Sequence, residues 1–309
     1  MSQDRWTAAD IPSQEGRTHL ITGANTGLGL ASAMALAEHG AHVVLACRNA
    51  AKAEFAAQAI RERHPGAQVD VAELDLGSLE AVREQAAEIA GRFPQIDVLM
   101  NNAGVMHPPR TETADGFELQ FGTNHLGHFV LTSRLLPVLR ATPGSRVVTI
   151  ASIAHAQGGD IHFDDLQFER RYNRQLAYAQ SKLANLLFAR ELDRRLRAAG
   201  IDAPISVAAH PGVAATELSR HLPFPLDKGF NLLRFTPFAQ DPKMGALSQL
   251  RAATDPAVEG GQYWGPRGPF GMAGHPGHSG STQKAKDPEL AARLWEVSEE
   301  LTSEVYDLA

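Results

Sequence analysis

From Thr18 to about Gly212, short apolar runs rich in β-branched residues alternate with longer stretches of helical periodicity. The strand-like runs are Thr18–Thr22, His42–Ala46, Gln68–Glu73, Ile96–Met100, Ser145–Ala151 and Ile205–Ala209, with a seventh at Gln262–Trp264. Helical patterns fall near Leu28–His39, Ala50–Arg63, Leu79–Arg92, Ala114–Leu139 and Leu176–Ala199. This alternation leaves few topologies. Each strand–helix–strand unit is a right-handed crossover, which lays the strands parallel in one sheet covered on both faces. The expectation is an α/β single-domain Rossmann fold, a doubly wound, mostly parallel sheet of about seven strands with helices on both faces. No polar linker interrupts the alternation, so residues 1–309 read as one domain with its core at 17–265.

Two segments break the pattern. Ala156–Arg174 is polar and aromatic. Residues 213–240 contain "HLPFPLDKGFNLLRFTPF", apolar yet rich in proline, just after a strand. Ligand crevices of open α/β sheets lie at such ends, so Leu218, Leu222, Phe224, Phe230, Leu233 and Phe235 suggest a substrate lid or wall, or else a docking surface. A C-terminal extension, 265–309, begins with glycine at every third position from Gly265 to Gly280, which suits an extended, hydrogen-bond-poor loop. It ends in a helical pattern, Pro288–Val305, expected to close the domain.

A formal net charge of −6 and the lack of a clustered basic face argue against nucleic acid or an anionic membrane as partner. The N-terminus, "MSQDRWTAADIPSQEG", has no apolar signal core, and no run reaches the ~20 apolar residues of a membrane span. A soluble, cytoplasmic protein without a membrane anchor is expected. The single cysteine, Cys47, excludes an intramolecular disulfide and reads as a small buried hydrophobe in "AHVVLACRN". The pairs His125/His128 and His275/His278 have ligand-like spacing, but no metal site is expected at either.

The first strand leads into "ITGANTGLGLASAMALAEHG". Gly23 permits a tight exit from the strand, Gly27 lets backbone approach a phosphate, and Gly29 lets the helix pack close on the sheet. The helix N-terminus then offers free N–H groups to a pyrophosphate. At the end of the second strand an NAD site commonly carries an acid for the ribose 2′-hydroxyl. Here stands Arg48, which suits a 2′-phosphate, so NADP(H) is the expected dinucleotide. A surface arginine opening the next helix is the plain alternative.

Tyr178 and Lys182 lie one helical turn apart in "AYAQSKLAN", and Ser152 follows the fifth strand at the ligand edge of the sheet. A cationic lysine beside a phenol lowers its pKa, and a serine hydroxyl can hold a substrate oxygen as charge develops on it. With "TGANTGLG" at 22–29, Asp75 in "LDLGS", "NNAG" at 101–104, Asn124, "YAQSK" at 178–182 and "HPG" at 210–212, the chain resembles the short-chain dehydrogenase/reductase family. The runs "ACRN" and "IHFDDL" are most similar to its retinol-dehydrogenase branch, and the opening glycine loop also resembles the protochlorophyllide-reductase branch.

The resemblance implies that Tyr178 exchanges the substrate proton, that Lys182 lowers its pKa and binds the nicotinamide ribose, and that Ser152 orients the carbonyl. It implies that Asn124 positions a water linking Lys182 to solvent. Dinucleotide contacts are implied for Gly23, Asn25, Thr26, Gly27, Leu28 and Gly29, for Arg48 and Asn49, and for Asp75 and Leu76 beside the adenine. Asn102, Ala103 and Gly104 would line the adenosine ribose, and Pro211, Gly212, Val213 and Thr216 the nicotinamide end. Asn124 as an ordinary helix residue, Ser152 as a cap and Asp75 as a helix start remain open alternatives.

The implied activity is NADP(H)-dependent hydride transfer to or from a carbonyl or alcohol of a lipophilic small molecule. Reduction of a C=C bond and a catalytically inactive NADP(H)-sensing protein are the other readings. Family members often pair through the helices corresponding to Ala114–Leu139 and Leu176–Ala199, so a homodimer or homotetramer is expected from the resemblance.

Overall fold

The structure is a computed structural model that describes residues 5–214 and 240–308. Its core is one eight-stranded sheet in the order β3-β2-β1-β4-β5-β6-β7-β8. The strands are β1 (Thr18–Thr22), β2 (His42–Cys47), β3 (Val69–Glu73), β4 (Val98–Asn101), β5 (Arg146–Ile150), β6 (Ile205–Ala209), β7 (Tyr263–Pro266) and β8 (Pro276–His278). All neighbours are parallel except β7 and β8. The helices are α1 (Gly27–Glu38), α2 (Ala50–Arg63), α3 (Leu79–Arg92), the single turn α4 (Leu119–Phe121), α5 (Gly127–Ala141), α6 (Arg174–Ala198), α7 (Pro242–Thr254) and α8 (Pro288–Thr302).

Successive residues of a strand face opposite layers, and the core divides accordingly. Leu20, Val44, Leu99, Val147 and Ala208 join a cluster with α3, α5, α6 and α8. Their neighbours Ile21, Val43, Met100, Val148 and Val207 join a second cluster with α1, α2 and α7. β1 and β5 are buried along their whole length, so their polar members Thr18, His19, Thr22, Arg146 and Thr149 are buried with the apolar ones. Side-chain caps start several helices: Asn49 accepts from Lys52 N, Ser78 from Ala81 N, Asn173 from Gln175 N, and Asp287 from Glu289 N. The strand order reverses between β1 and β4, which opens a crevice at the carboxyl ends of the strands.

Two sequence expectations change. Ala114–Leu139 is not one helix: Gly116 takes a positive φ of 84°, and the Glu118 carboxylate accepts from Phe121 N, so the helix starts after a turn. It then passes through a π-helical turn, Gly122–Leu126, before α5. The glycine-periodic stretch is not hydrogen-bond-poor, because it folds back as the eighth strand, with Trp264 opposite His278 and Gly265 opposite Gly277. The glycines serve close packing there: a Cβ on Gly265 would lie 1.9 Å from His210 Nε2. The expected lid lies outside the described residues except for its ends, Val213–Ala214 and Gln240, where Gln240 N donates to Val213 O at 3.0 Å.

The C-terminal helix packs across α5 and α6. Trp295 stacks on Phe188 with ring centroids 5.9 Å apart and meets Phe129 edge-on at 5.1 Å. The Tyr306 hydroxyl donates to Phe129 O at 2.7 Å, and buried Glu304 pairs with Arg134 at 2.7 Å. No helix among the described residues is long and apolar enough to cross a membrane.

Candidate active site

The crevice holds a cavity of about 700 Å³. Its walls come from the loops after β1, β2, β3, β4, β5 and β6, the places where parallel strands deliver their carboxyl ends. Every described residue implicated by the sequence lines it except Asn124, which lies fully buried behind Gly104. Thr216 falls outside the described residues.

The first loop passes from β1 to α1. Gly23 has a φ of +65°, and a Cβ there would sit 2.9 Å from the Ala103 Cβ. Gly27 has a φ of +57° at the first helical position. A Cβ on Gly29 would lie 2.6 Å from Gly23 O and 2.7 Å from Asn102 Nδ2. Thr26, the cap residue, spends no side-chain bond on the helix, so the first-turn amides of α1 keep their donors for a ligand. Asn25 and Leu28 line the same wall. These features fit a pyrophosphate.

Arg48 and Asn49 follow β2 on the adjoining wall. Asn49 caps α2 through its Oδ1, while Arg48 is exposed and lines the cavity. Lys52 lines it as well. Sequence reasoning passed over this lysine, although its place four residues after Arg48, in the first turn of the next helix, was the available signal. Two cations at this corner suit a phosphate better than a bare ribose hydroxyl. Asp75 does not start α3, since Ser78 does. Its Oδ1 accepts from Gly77 N at 3.0 Å and its N–H donates to Gln85, which shapes the turn that presents Asp75 and Leu76 to the cavity.

Asn102, Ala103 and Gly104 follow β4. The Thr22 hydroxyl accepts from Asn102 N at 2.9 Å and Ala103 N at 2.8 Å. Thr22 Oγ1 is also 2.9 Å from His128 Nε2, while His128 Nδ1 lies 3.0 Å from Asn124 O. A carbonyl only accepts, so Nδ1 carries the proton and Nε2 accepts from Thr22. Burial, with a smaller push from Lys182, lowers His128 to about 4 and keeps it neutral. This chain ties the loop at 102–104 to the π-turn that carries Asn124. The Asn124 side chain clamps the next residues: Nδ2 donates to Val105 O and Ser181 Oγ, both at 3.0 Å, and Oδ1 accepts from Val105 N at 2.8 Å.

At the other end, Tyr178 and Lys182 project from α6 toward Ser152. Burial pushes the Tyr178 phenol up to about 12, and a hydrogen bond with Ser152 pulls the other way. Burial lowers Lys182 to about 8. Lys182 Nζ donates to Ile150 O at 3.0 Å and lies 5.8 Å from the Tyr178 ring centroid. The expected lowering of the phenol by the lysine does not enter in the chain alone, where the burial that brings the two together favours both neutral forms. Ser152 also caps the short turn Ile153–Ala156 by accepting from Ala154 N at 3.1 Å. Capping and facing Tyr178 are compatible in one side chain.

Pro211, Gly212 and Val213 follow β6. Gly212 has a φ of +67°, and a Cβ there would strike Met272 O, which instead accepts from Val213 N at 2.7 Å. His210 Nε2 lies 2.8 Å from Ser279 Oγ, so the C-terminal hairpin braces this loop. The paired histidines singled out by spacing have protein partners: His125 meets Ser298 Oγ at 2.9 Å, His275 donates to Trp6 O at 3.1 Å, and His278 lies against Trp264. His107, Gln157 and Gln175 also line the cavity and carried no sequence signal.

A family profile described as short chain dehydrogenase matches residues 17–223. The chain is 43% identical to retinol dehydrogenase 14 of Mus musculus over 96% of its length and 89% of that protein's. It is 41% identical to human retinol dehydrogenase 13, covering 97% of this chain and 89% of the relative. The crystal structure of an uncharacterized protein from Mycobacterium paratuberculosis superposes with a TM-score of 0.80 at 44% identity, covering 98% of this chain and 99% of that one. Family, fold and crevice agree: the chain belongs to the short-chain dehydrogenase/reductase family, in the branch of the retinol dehydrogenases, and is an oxidoreductase that works with a nicotinamide dinucleotide.

Proposed function

We propose that the chain is an NADP(H)-dependent oxidoreductase that interconverts a carbonyl and an alcohol on a lipophilic small molecule. One observation carries the reading: Ser152, Tyr178 and Lys182 stand on the wall of the same cavity whose far corner holds Arg48 and Lys52. The bound nicotinamide supplies or takes the hydride. The chain does the rest. Ser152 and Tyr178, hydrogen-bonded to each other, receive the substrate oxygen between them. In reduction Tyr178 gives that oxygen its phenolic proton; in oxidation it takes the proton back. Lys182, charged below about pH 8, stabilises the phenolate left behind.

Arg48 and Lys52 support NADP(H), because a guanidinium and an ammonium at one corner offer several charged donors to a 2′-phosphate. Cys47, the single cysteine, lies buried against the glycine-loop backbone at 23–25 and is raised by burial, which gives no support to C=C reduction through a substrate-site thiol.

A carbonyl and alcohol panel run in parallel with NADPH and NADH tests the proposal. NADPH is expected to be preferred, and Arg48→Ala with Lys52→Ala to weaken NADPH roughly 10- to 100-fold while leaving NADH unchanged. Tyr178→Phe is expected to lower turnover roughly 10²- to 10⁴-fold. Equal use of both dinucleotides by the wild type would overturn the coenzyme choice, and unchanged turnover in Tyr178→Phe would overturn the reaction.

A further inference from the structure

His107 belongs to the cavity wall, yet neither the proton-transfer group nor the dinucleotide cradle uses it. Its backbone has a φ of +56°, the left-handed region that a non-glycine residue enters at a cost. Strain of this kind persists where the surroundings enforce it, and it gathers at functional sites. Here it is enforced from both sides. Gln120 Oε1 accepts from His107 N at 2.9 Å. The carbonyl of the next residue, Pro108, lies 3.2 Å from the Tyr172 hydroxyl, which is itself 3.1 Å from Gln120 Nε2 and 3.2 Å from buried Glu118.

This brace aims an imidazole at the reacting group. The ring meets Tyr178 edge-on, with centroids 5.2 Å apart and planes at 77°. Nε2 has no hydrogen-bond partner among the described residues and is closed off from solvent, which leaves Nδ1 as the nitrogen that a ligand in the cavity can reach. Burial, helped by Arg174, holds the ring below its usual proton affinity, so it is neutral and offers one donor and one acceptor. A polar ring with an unpartnered nitrogen beside the catalytic phenol, on a strained and braced backbone, is built for a ligand that completes its hydrogen bonding.

We propose that His107 is a specificity-determining residue whose imidazole hydrogen-bonds an oxygen on the carbon next to the reacting carbonyl. The favoured substrates are then α-hydroxy ketones, and vicinal diols in the reverse direction, with the rest of the molecule apolar. The assignment rests on Ser152 and Tyr178 holding the carbonyl oxygen, which places the neighbouring carbon within reach of a ring packed against the phenol.

The matched probes are 2-hydroxyacetophenone and acetophenone, measured on the NADP⁺-loaded full chain by saturation-transfer NMR and, with NADPH, by turnover. Wild type is expected to bind the hydroxy ketone about tenfold more tightly, the size of one added hydrogen bond in a closed site. His107→Gly removes the ring and relieves the backbone, so it is expected to fold and to bind both ketones alike. His107→Asn tolerates left-handed backbone and keeps an amide, so it should recover part of the preference. Equal binding of the two ketones by the wild type, no binding of the hydroxy ketone, or a preference that survives in His107→Gly would each overturn the proposal. A binding preference that depends on His107 but comes without reduction by NADPH leaves the contact standing and removes the reaction assigned to the site.

Discussion

Lys182 and Tyr178 stand one turn apart on a helix buried around most of its circumference, and this burial moves their proton affinities in opposite directions. The phenol holds its proton throughout the physiological range, while the amine is charged only below about 8. In the reduction proposed above the phenol gives up its proton, and the charge proposed to stabilise what remains vanishes as Lys182 discharges. The rate of reduction is therefore expected to fall as pH rises through about 8, and Lys182→Arg, whose charge persists, should carry that limb upward, as a pH profile of kcat/KM would record. The lysine shift also has a stability sign. From about 8 to 10.5 the unfolded chain holds a proton that the native chain has lost, so stability from this group grows with pH across that window. That Tyr178, Lys182 and Ser152 share one cavity wall was legible in the sequence, because strand and helix order brings the end of β5 beside α6. His107 was not, since its position depends on Gln120 and Tyr172, which reach it from other segments.

At the scale of the element, the turn from β1 to α1 leaves the least room. The glycine spacing announced a tight strand-to-helix turn, and the structure adds what the missing side chains face. Gly29 abuts Gly23 O and the Asn102 amide, so the loops after β1 and β4 interlock beneath the dinucleotide site. Gly29→Ala places a Cβ against backbone that cannot yield easily. It is expected to destabilise the fold by about 1–3 kcal/mol and to weaken dinucleotide binding, checked by thermal melts with and without NADPH. The run 114–139 shows why a helical pattern can mislead. Its apolar spacing is real, but Gly116 and the Glu118 cap delay the helix, and the π-turn shifts the frame at Asn124. These are decided by contacts that periodicity does not encode.

For the whole molecule, the position of α8 bears on assembly. The helices expected to pair with a second chain are already covered by Trp295, Tyr306 and the Glu304 ion pairs. Pairing through α5 and α6 would require this closure to open. Sedimentation equilibrium is accordingly expected to return a species of 33.3 kDa, and a dimer mass would show that the chain pairs through another face or with α8 displaced. Trp295→Ala, which removes the aromatic wedge, is expected to cost about 3–5 kcal/mol of stability.

Strand and helix order, the parallel sheet, the glycine turn, Arg48 and the Ser152–Tyr178–Lys182 group all follow from the sequence, because periodicity and local chemistry are written along the chain. The antiparallel eighth strand, the clamp made by Asn124, the His128 link, the second cation at Lys52 and the braced imidazole of His107 come only from the tertiary structure. Each depends on groups distant in sequence meeting in a buried place, where the cost of leaving a polar atom unpaired decides which contacts form.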